Sequence, residues 1–265
     1  MKSNKKFAII TVSYNSESSI KQTIMSVLKQ NYTNFEYFVK DGGSSDGTFE
    51  IVKEYGNEFM ERGISYSFIS EKDKGIFPAM NEALEHISAE YVLFLNAGDY
   101  LFDSNVLERI DSELKNHDYD IIYGNYWLYS ENKRKHIISK DFSLLPKCMI
   151  TTHQAIFTKT ELLKKRPYSN DYRMTADYDF YLDMFLQNKK FLHINQDFVY
   201  FAVDGVSQKN AIRTQNEVFD LKMKHGCITV KQYKLRYFKI YKTVLQKMLL
   251  GRLPKCIRFK DYEEF

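Results

Sequence analysis

Between Phe38 and Asp99 the sequence three times runs an apolar, strand-like segment straight into a short turn rich in acid, amide or glycine. Phe38-Val39-Lys40 leads into Asp41-Gly42-Gly43-Ser44-Ser45-Asp46-Gly47-Thr48, Ser67-Phe68-Ile69-Ser70 into Glu71-Lys72-Asp73-Lys74-Gly75, and Tyr91-Val92-Leu93-Phe94-Leu95 into Asn96-Ala97-Gly98-Asp99. Helical patterns separate these strands, and strands alternating with helices imply a mainly parallel sheet with right-handed crossovers. In open sheets of this kind ligands bind beyond the carboxyl ends of the strands. The chain is thereby constrained to an α/β fold in which Asp41, Lys74 and Asp99 set charges of both signs around one crevice.

The first half is regular. Residues 7–12 predict a buried strand, and 18–30 a helix with Ile20, Ile24, Val27 and Leu28 on one face and Ser18 or Ser19 as its cap. Residues 35–40 and 48–55, then 65–70 and 78–87, repeat the unit, with Pro78 suited to a first helical turn. Residues 91–95 give a fourth strand. Further on, 120–124 reads as a strand continuing into the aromatic 125–129, and 154–157 as a short strand after His153. A helix is expected over 179–186, and strands over 191–194 and 198–202. With no repeat or linker in evidence, the simplest division is one α/β domain over 1–220 and a tail over 221–265.

The tail stands out by charge. The net +4 of the 265 residues divides into −5 over 1–220 and +9 over 221–265, and residues 221–260 hold 12 Lys or Arg and no acid. From Tyr233, the residues Tyr237, Ile240, Tyr241, Val244, Leu245 and Met248 fall on one helical stripe. Arg236, Lys239, Lys242 and Lys247 lie mainly opposite, while Lys234 intrudes. A basic amphipathic helix reads as a membrane-surface element; the alternative is a helix packed on its own domain with a solvated basic face.

No apolar string approaches the roughly 20 residues of a spanning helix. The basic start of the chain is followed only by a strand-like run, so no secretory signal is expected. Cys148, Cys227 and Cys256 are scattered, without metal-ligand spacing, which points to a reducing cytoplasm.

Taken together and in order, Thr11-Val12-Ser13-Tyr14-Asn15, the segment from Asp41 to Thr48, Asp73-Lys74-Gly75-Ile76, Asn81, Leu95-Asn96-Ala97-Gly98-Asp99 and Ala176-Asp177-Tyr178-Asp179 resemble the family 2 glycosyltransferases, inverting enzymes of the GT-A fold. The resemblance covers roughly residues 7–205. From Ser70 to Asn81 and on into the Leu-Asn-Ala-Gly-Asp element, it is most similar to bacterial members that build capsule, exopolysaccharide or O-antigen chains. It implies the GT-A nucleotide-diphospho-sugar transferase fold. It also implies non-processive transfer from a nucleotide sugar, a UDP-sugar favoured, to a saccharide or polyprenyl-diphosphate-linked acceptor, with Mg²⁺ or Mn²⁺ as cofactor. Such an enzyme would work in the cytoplasm, peripheral on the inner face of the membrane.

Residue by residue, the resemblance makes Asp41 the acceptor for the nucleobase ring N–H, with Thr11, Ser13, Tyr14 and Asn15 across the base and ribose and Tyr14 on the ring face. Lys74 would meet the diphosphate, and Asn81, Asn96 and Gly98 would complete the nucleotide-sugar site. Asp99 would be the metal ligand; Asn96 and Gly98 stand where the family often has further carboxylates, and Mg²⁺ can bind through one carboxylate plus substrate phosphates. Asp177 is the expected catalytic base, with Asp179 its competitor. Residues i and i+2 of a helix point about 200° apart, so only one can face the cleft. His153-Gln154 would lie on the acceptor or phosphate side, and Asp204-Gly205-Val206-Ser207 resembles a late Gly-Gly-X-Ser loop.

Readings of other classes stay open. The thinned acidic element suggests an inactive sugar-nucleotide binder. The basic, Tyr-rich tail suggests a nucleic-acid binder, against which stand an acidic body and no nucleic-acid module signature. A dinucleotide oxidoreductase is disfavoured because no G-x-G-x-x-G follows the first strand. Processive synthesis is disfavoured because the only Trp, Trp127, follows Tyr126 rather than completing Gln-X-X-Arg-Trp.

Overall fold

The computed structural model describes residues 5–115, 117–130, 133–203 and 211–235. Its elements in chain order are β1 (Phe7–Ser13), α1 (Ile20–Leu28), β2 (Phe35–Asp41), α2 (Thr48–Glu54), α3 (Gly56–Glu61), β3 (Ser65–Ser70), α4 (Ile76–Leu84), β4 (Tyr91–Phe94), β5 (Tyr100–Leu101), α5 (Val106–Leu114), β6 (Ile121–Ser130), β7 (Lys133–Ile137), β8 (Ile156–Lys159), α6 (Thr160–Lys165), α7 (Ala176–Leu186), β9 (Phe191–Ala202) and α8 (Ala211–Lys224). One sheet runs β3-β2-β1-β4-β8-β6-β9-β5, with β7 paired to β6.

The parallel expectation holds for β3, β2, β1 and β4. Beyond β4 the sheet is mixed: β8 is antiparallel to β4 and β6, β9 is parallel to β6, and β5 is antiparallel to β9. That reversal matters for the site, because an antiparallel β8 begins at the edge where β1, β2 and β4 end. The two strands expected over 191–202 are one, β9, whose pairing with β6 shifts register around Asn125.

Every residue of β1 is buried because helices cover both faces of the sheet. Phe7 and Ile9 pack with Ile20, Ile24, Val27 and Leu28 of α1 on one side. Ala8, Ile10 and Val12 pack with Phe77, Met80, Ala83 and Leu84 of α4 on the other. The period-2 alternation of the strand thus meets the 3.6-residue stripes of two helices. Ser19 does precede α1, but its side chain makes no capping bond.

The boundary expected after residue 220 falls inside α8. Leu221 is fully buried in the core, with Val218 and Cys227 packed against it. Glu217 accepts from the backbone N–H groups of Arg173 (3.2 Å) and Met174 (2.7 Å) just before α7. The start of the basic segment is therefore part of the body. The 204–207 loop, and the tail stripe beyond residue 235, lie outside the described residues. Among the described residues no helix is long and apolar enough to cross a membrane.

Candidate active site

Register brings the first part of the site together. Ser13, Asp41 and Ser70 end β1, β2 and β3 as direct cross-strand partners. Asp41 is fully buried and takes hydrogen bonds on both oxygens. Oδ1 accepts from Ser13 Oγ (3.3 Å) and Ser44 Oγ (2.5 Å), and Oδ2 from Gly43 N (3.1 Å), Ser44 N (2.9 Å) and Ser70 Oγ (2.6 Å). Burial alone would raise its pKa; the hydroxyls of Ser44 and Ser70 and the Ser44 amide outweigh it and hold the carboxyl below the usual range. Beside it Lys40 is fully buried, with Nζ donating to Glu71 O (2.5 Å) and Asp41 O (3.3 Å). The sign of this anchoring role in the sequence is a lysine directly before the acid that ends β2.

The nucleotide-side residues separate into different jobs. Tyr14 is 63% exposed at the end of β1, open to a ligand. Asn15, at φ 46°, accepts from Ser45 N (2.9 Å) through Oδ1, and its own N–H donates to Ser44 Oγ, which ties the β1 end to the 44–48 loop. Lys74 is exposed just before Gly75, whose φ of 129° starts α4. Two of the expected residues have their side chains engaged inside the protein. Thr11 is fully buried and its hydroxyl is paired with Tyr37 OH (3.0 Å), so it belongs to the core. Asn81 is a backbone clip: Nδ2 donates to Tyr168 O (2.8 Å) and Oδ1 accepts from Tyr168 N (2.9 Å).

The second part of the site sits where β4 ends and β8 begins. Asp99 is 4% exposed, and it accepts from Ala202 N (2.9 Å) and Gln154 Nε2 (2.8 Å). Burial pushes its pKa up to about 7 against those two hydrogen bonds. Gly98 N donates to Thr23 Oγ1, and Gly98 O accepts from Tyr129 OH. His153 precedes Gln154 and links two groups: Nδ1 lies 3.0 Å from Asp177 Oδ2, and Nε2 lies 3.1 Å from Asn96 Nδ2. With the Asn96 amide donating, His153 accepts at Nε2 and carries its proton at Nδ1, directed at Asp177. Asn96 Oδ1 is left buried with no partner.

The two acids at the start of α7 part company. Asp177 is partly exposed and faces His153, with Oδ1 accepting from Tyr178 N (2.8 Å). Asp179 is fully buried among Arg166 Nη2 (2.7 Å), His225 Nε2 (2.8 Å) and Lys224 Nζ (3.4 Å). It ties α7 to the end of α8.

Among the described residues, the 96–99 turn offers oxygen donors to a hard cation. Asp99 and the orphaned Asn96 Oδ1 are hard oxygen donors on one turn. Among the described residues no three His, Cys, Asp or Glu side chains gather to hold a metal, so water and donor phosphate would have to complete the shell.

The Glycosyl transferase family 2 model matches residues 8–193. The chain is 32% identical over 187 residues to the Escherichia coli UDP-Glc:alpha-D-GlcNAc-diphosphoundecaprenol beta-1,3-glucosyltransferase WfgD, covering 68% of this chain and 70% of that protein. It is likewise 32% identical over 181 residues to a PGL/p-HBAD biosynthesis glycosyltransferase of Mycobacterium bovis, covering 68% and 69%. Among solved structures it is similar to S. aureus TarS 1–349 in complex with UDP, with a TM-score of 0.64 and 21% identity, over 82% of this chain and 64% of that one. It is also similar to the mannosyltransferase PcManGT from Pyrobaculum calidifontis in complex with GDP-Man and Mn²⁺, with a TM-score of 0.66 and 17% identity, over 85% and 65%. The chain spans just under two thirds of each of these two structures. Its fold is that of the GT-A transferases, and the chain belongs to glycosyl transferase family 2 as a glycosyltransferase.

Proposed function

We propose that the protein is an inverting, non-processive transferase that moves a sugar from a UDP-sugar to a saccharide or polyprenyl-diphosphate-linked acceptor in cell-surface polysaccharide synthesis. The observation that carries this reading is the chain Asp177–His153–Asn96, which joins a partly exposed carboxylate to the turn holding Asp99. Asp177 takes the proton of the acceptor hydroxyl as that oxygen bonds to the anomeric carbon. The bond from that carbon to the nucleoside diphosphate breaks on the opposite face, and the diphosphate leaves. His153, with its Nδ1 proton on Asp177 Oδ2, is a positioning residue. A uridine donor and a lipid-linked acceptor are supported by the E. coli relative, whose name gives both.

Asp99 and Asn96 would hold Mg²⁺ or Mn²⁺, which when bound would neutralise charge on the leaving diphosphate. With one acid available, the cation should bind much more tightly with UDP than alone. Asp99 must be ionised to hold it, so affinity should fall as pH drops below about 7. Calorimetry with and without UDP, and a panel of nucleotide sugars scored for hydrolysis with and without EDTA, test both points. Full activity in EDTA would remove the metal from the mechanism. Tight GDP binding with none for UDP would overturn the uridine reading, and absence of any donor turnover would leave an inactive binder.

The segment beyond the described body is proposed to bind an anionic membrane surface from the cytoplasmic side. Residues 236–260 hold eight Lys or Arg and no acid, and each such charge near an anionic bilayer contributes about 1 kcal/mol. Co-sedimentation with phosphatidylglycerol-containing liposomes should rise with anionic lipid, fall with salt, and vanish when 236–265 are deleted from a still-folded protein. An intact protein that ignores such liposomes would end this part of the reading.

A further inference from the structure

The carboxylate expected to read the base, Asp41, has no acceptor capacity to spare. A carboxylate offers about four lone-pair directions, and Asp41 already receives five donors while fully buried. Its work is architectural. Its main-chain oxygen accepts from Glu71 N (3.0 Å), and Lys40 Nζ grips Glu71 O (2.5 Å). The β2 end therefore fixes the start of the loop that follows β3.

That loop carries another carboxylate back over β2. Asp73 is half-buried; its Oδ1 accepts from Gly75 N (2.9 Å), and its Oδ2 makes no hydrogen bond to any described residue. A Cβ placed on Gly42 would stand 2.5 Å from Asp73 Oδ2 and 3.4 Å from Ser13 O. Asp73 thus occupies the space a side chain at residue 42 would need. Its open oxygen lies over the junction of β1 and β2, next to the residue that precedes the exposed Tyr14. A side chain at residue 42 would have to displace the Asp73 carboxylate from this position.

We propose that Asp73 is the specificity-determining carboxylate for the base: its Oδ2 accepts the ring N–H of a uracil laid against Tyr14. The proposal rests on the uridine reading above and deepens it. A carboxylate can only accept, so it pairs with the N3–H of uracil and repels cytosine, whose N3 is itself an acceptor. The selection of uridine over cytidine would then come from one oxygen atom held by Gly75 on its neighbour and by the Lys40–Asp41 anchor at the root of the loop.

The test is calorimetric titration of the full chain with UDP and with CDP, Mg²⁺ present, before and after Asp73→Asn. Gly75 N–H keeps an oxygen as its partner, so the amide nitrogen takes the place of Oδ2 and turns an acceptor into a donor. UDP affinity should fall by about 10-fold or more, the loss expected for a hydrogen bond to a charged group, and CDP should become the tighter ligand. Gly42→Ala, whose Cβ must push the Asp73 carboxylate aside, should weaken UDP as well while thermal melting shows a folded protein. An Asp73→Asn variant with the wild-type preference for UDP over CDP would overturn the assignment. A wild-type protein that binds no uridine nucleotide would overturn the uridine reading beneath it, and that outcome is seen before any substitution is made.

Discussion

Asp177→Asn should lower sugar transfer by about 10²–10⁴-fold, the usual worth of a positioned general base, while UDP affinity stays at its wild-type value. The amide fills the same space: one end can still accept from His153 Nδ1 or Tyr178 N, the two groups that now hold the carboxylate. What it cannot do is take a proton. The loss should therefore sit in kcat, because the removed interaction exists only in the transition state. Single-turnover transfer with saturating donor and acceptor isolates that step. An Asp177→Asn enzyme with near-normal turnover would sink the assignment, whatever its effect on stability. His153→Ala should give a smaller fall in kcat than Asp177→Asn, since it frees the base to rotate but leaves it able to accept the proton.

Much of this candidate site can be placed from the sequence because it lies where period-2 strands end. Asp41, Lys74, Asn96 and Asp99 all follow recognisable strands, and the sheet brings those strand ends to one edge. His153 and Gln154 were readable for the same reason, as the start of a short strand. What the sequence did not reveal was direction: β8 runs antiparallel, and only that reversal sets His153 beside Asn96 and Gln154 beside Asp99. A hydrophobic pattern carries strand position and leaves strand polarity unstated.

Two of the expected site residues share a physical feature. Thr11 and Asn81 are polar residues in the right motifs, but Tyr37 and the Tyr168 backbone satisfy them inside the protein. Buried polar groups must find partners, and a sequence motif does not say whether the partner is ligand or protein. Asp41 shows the same effect at the centre of the site. The division expected at residue 220 meets a related effect. Charge counted along 221–260 conceals that the half-exposed Lys224 and the largely buried His225 pair with a buried acid and that Leu221 is core.

That buried acid supplies the second large effect: Asp179→Ala should cost about 3 kcal/mol, the lower end for breaking a buried ion pair, or roughly 6–12 °C in Tm for a domain of this size. The lower end applies because Lys224 is half exposed and Arg166 keeps Asp183 (2.5 Å) as a partner, so both cations retain some compensation. His225 is 10% exposed and has less. Burial would raise the Asp179 pKa, but the hydrogen bonds from His225 and Arg166 prevail and hold it below its ordinary value. For a depressed carboxyl the stabilisation is in place above the unfolded-state pKa, near 4, and disappears as pH falls through the lower folded value. The Tm difference between wild type and Asp179→Ala should thus be full at pH 7 and shrink below about pH 4. Hydrogen exchange in α8 should accelerate in the variant, because Asp179 is what holds the end of that helix to α7. The folded fraction should still transfer sugar at low temperature. If instead Asp179→Ala melts like wild type and is catalytically dead, the two acids of α7 have exchanged roles, and the proton acceptor lies two residues further along the helix.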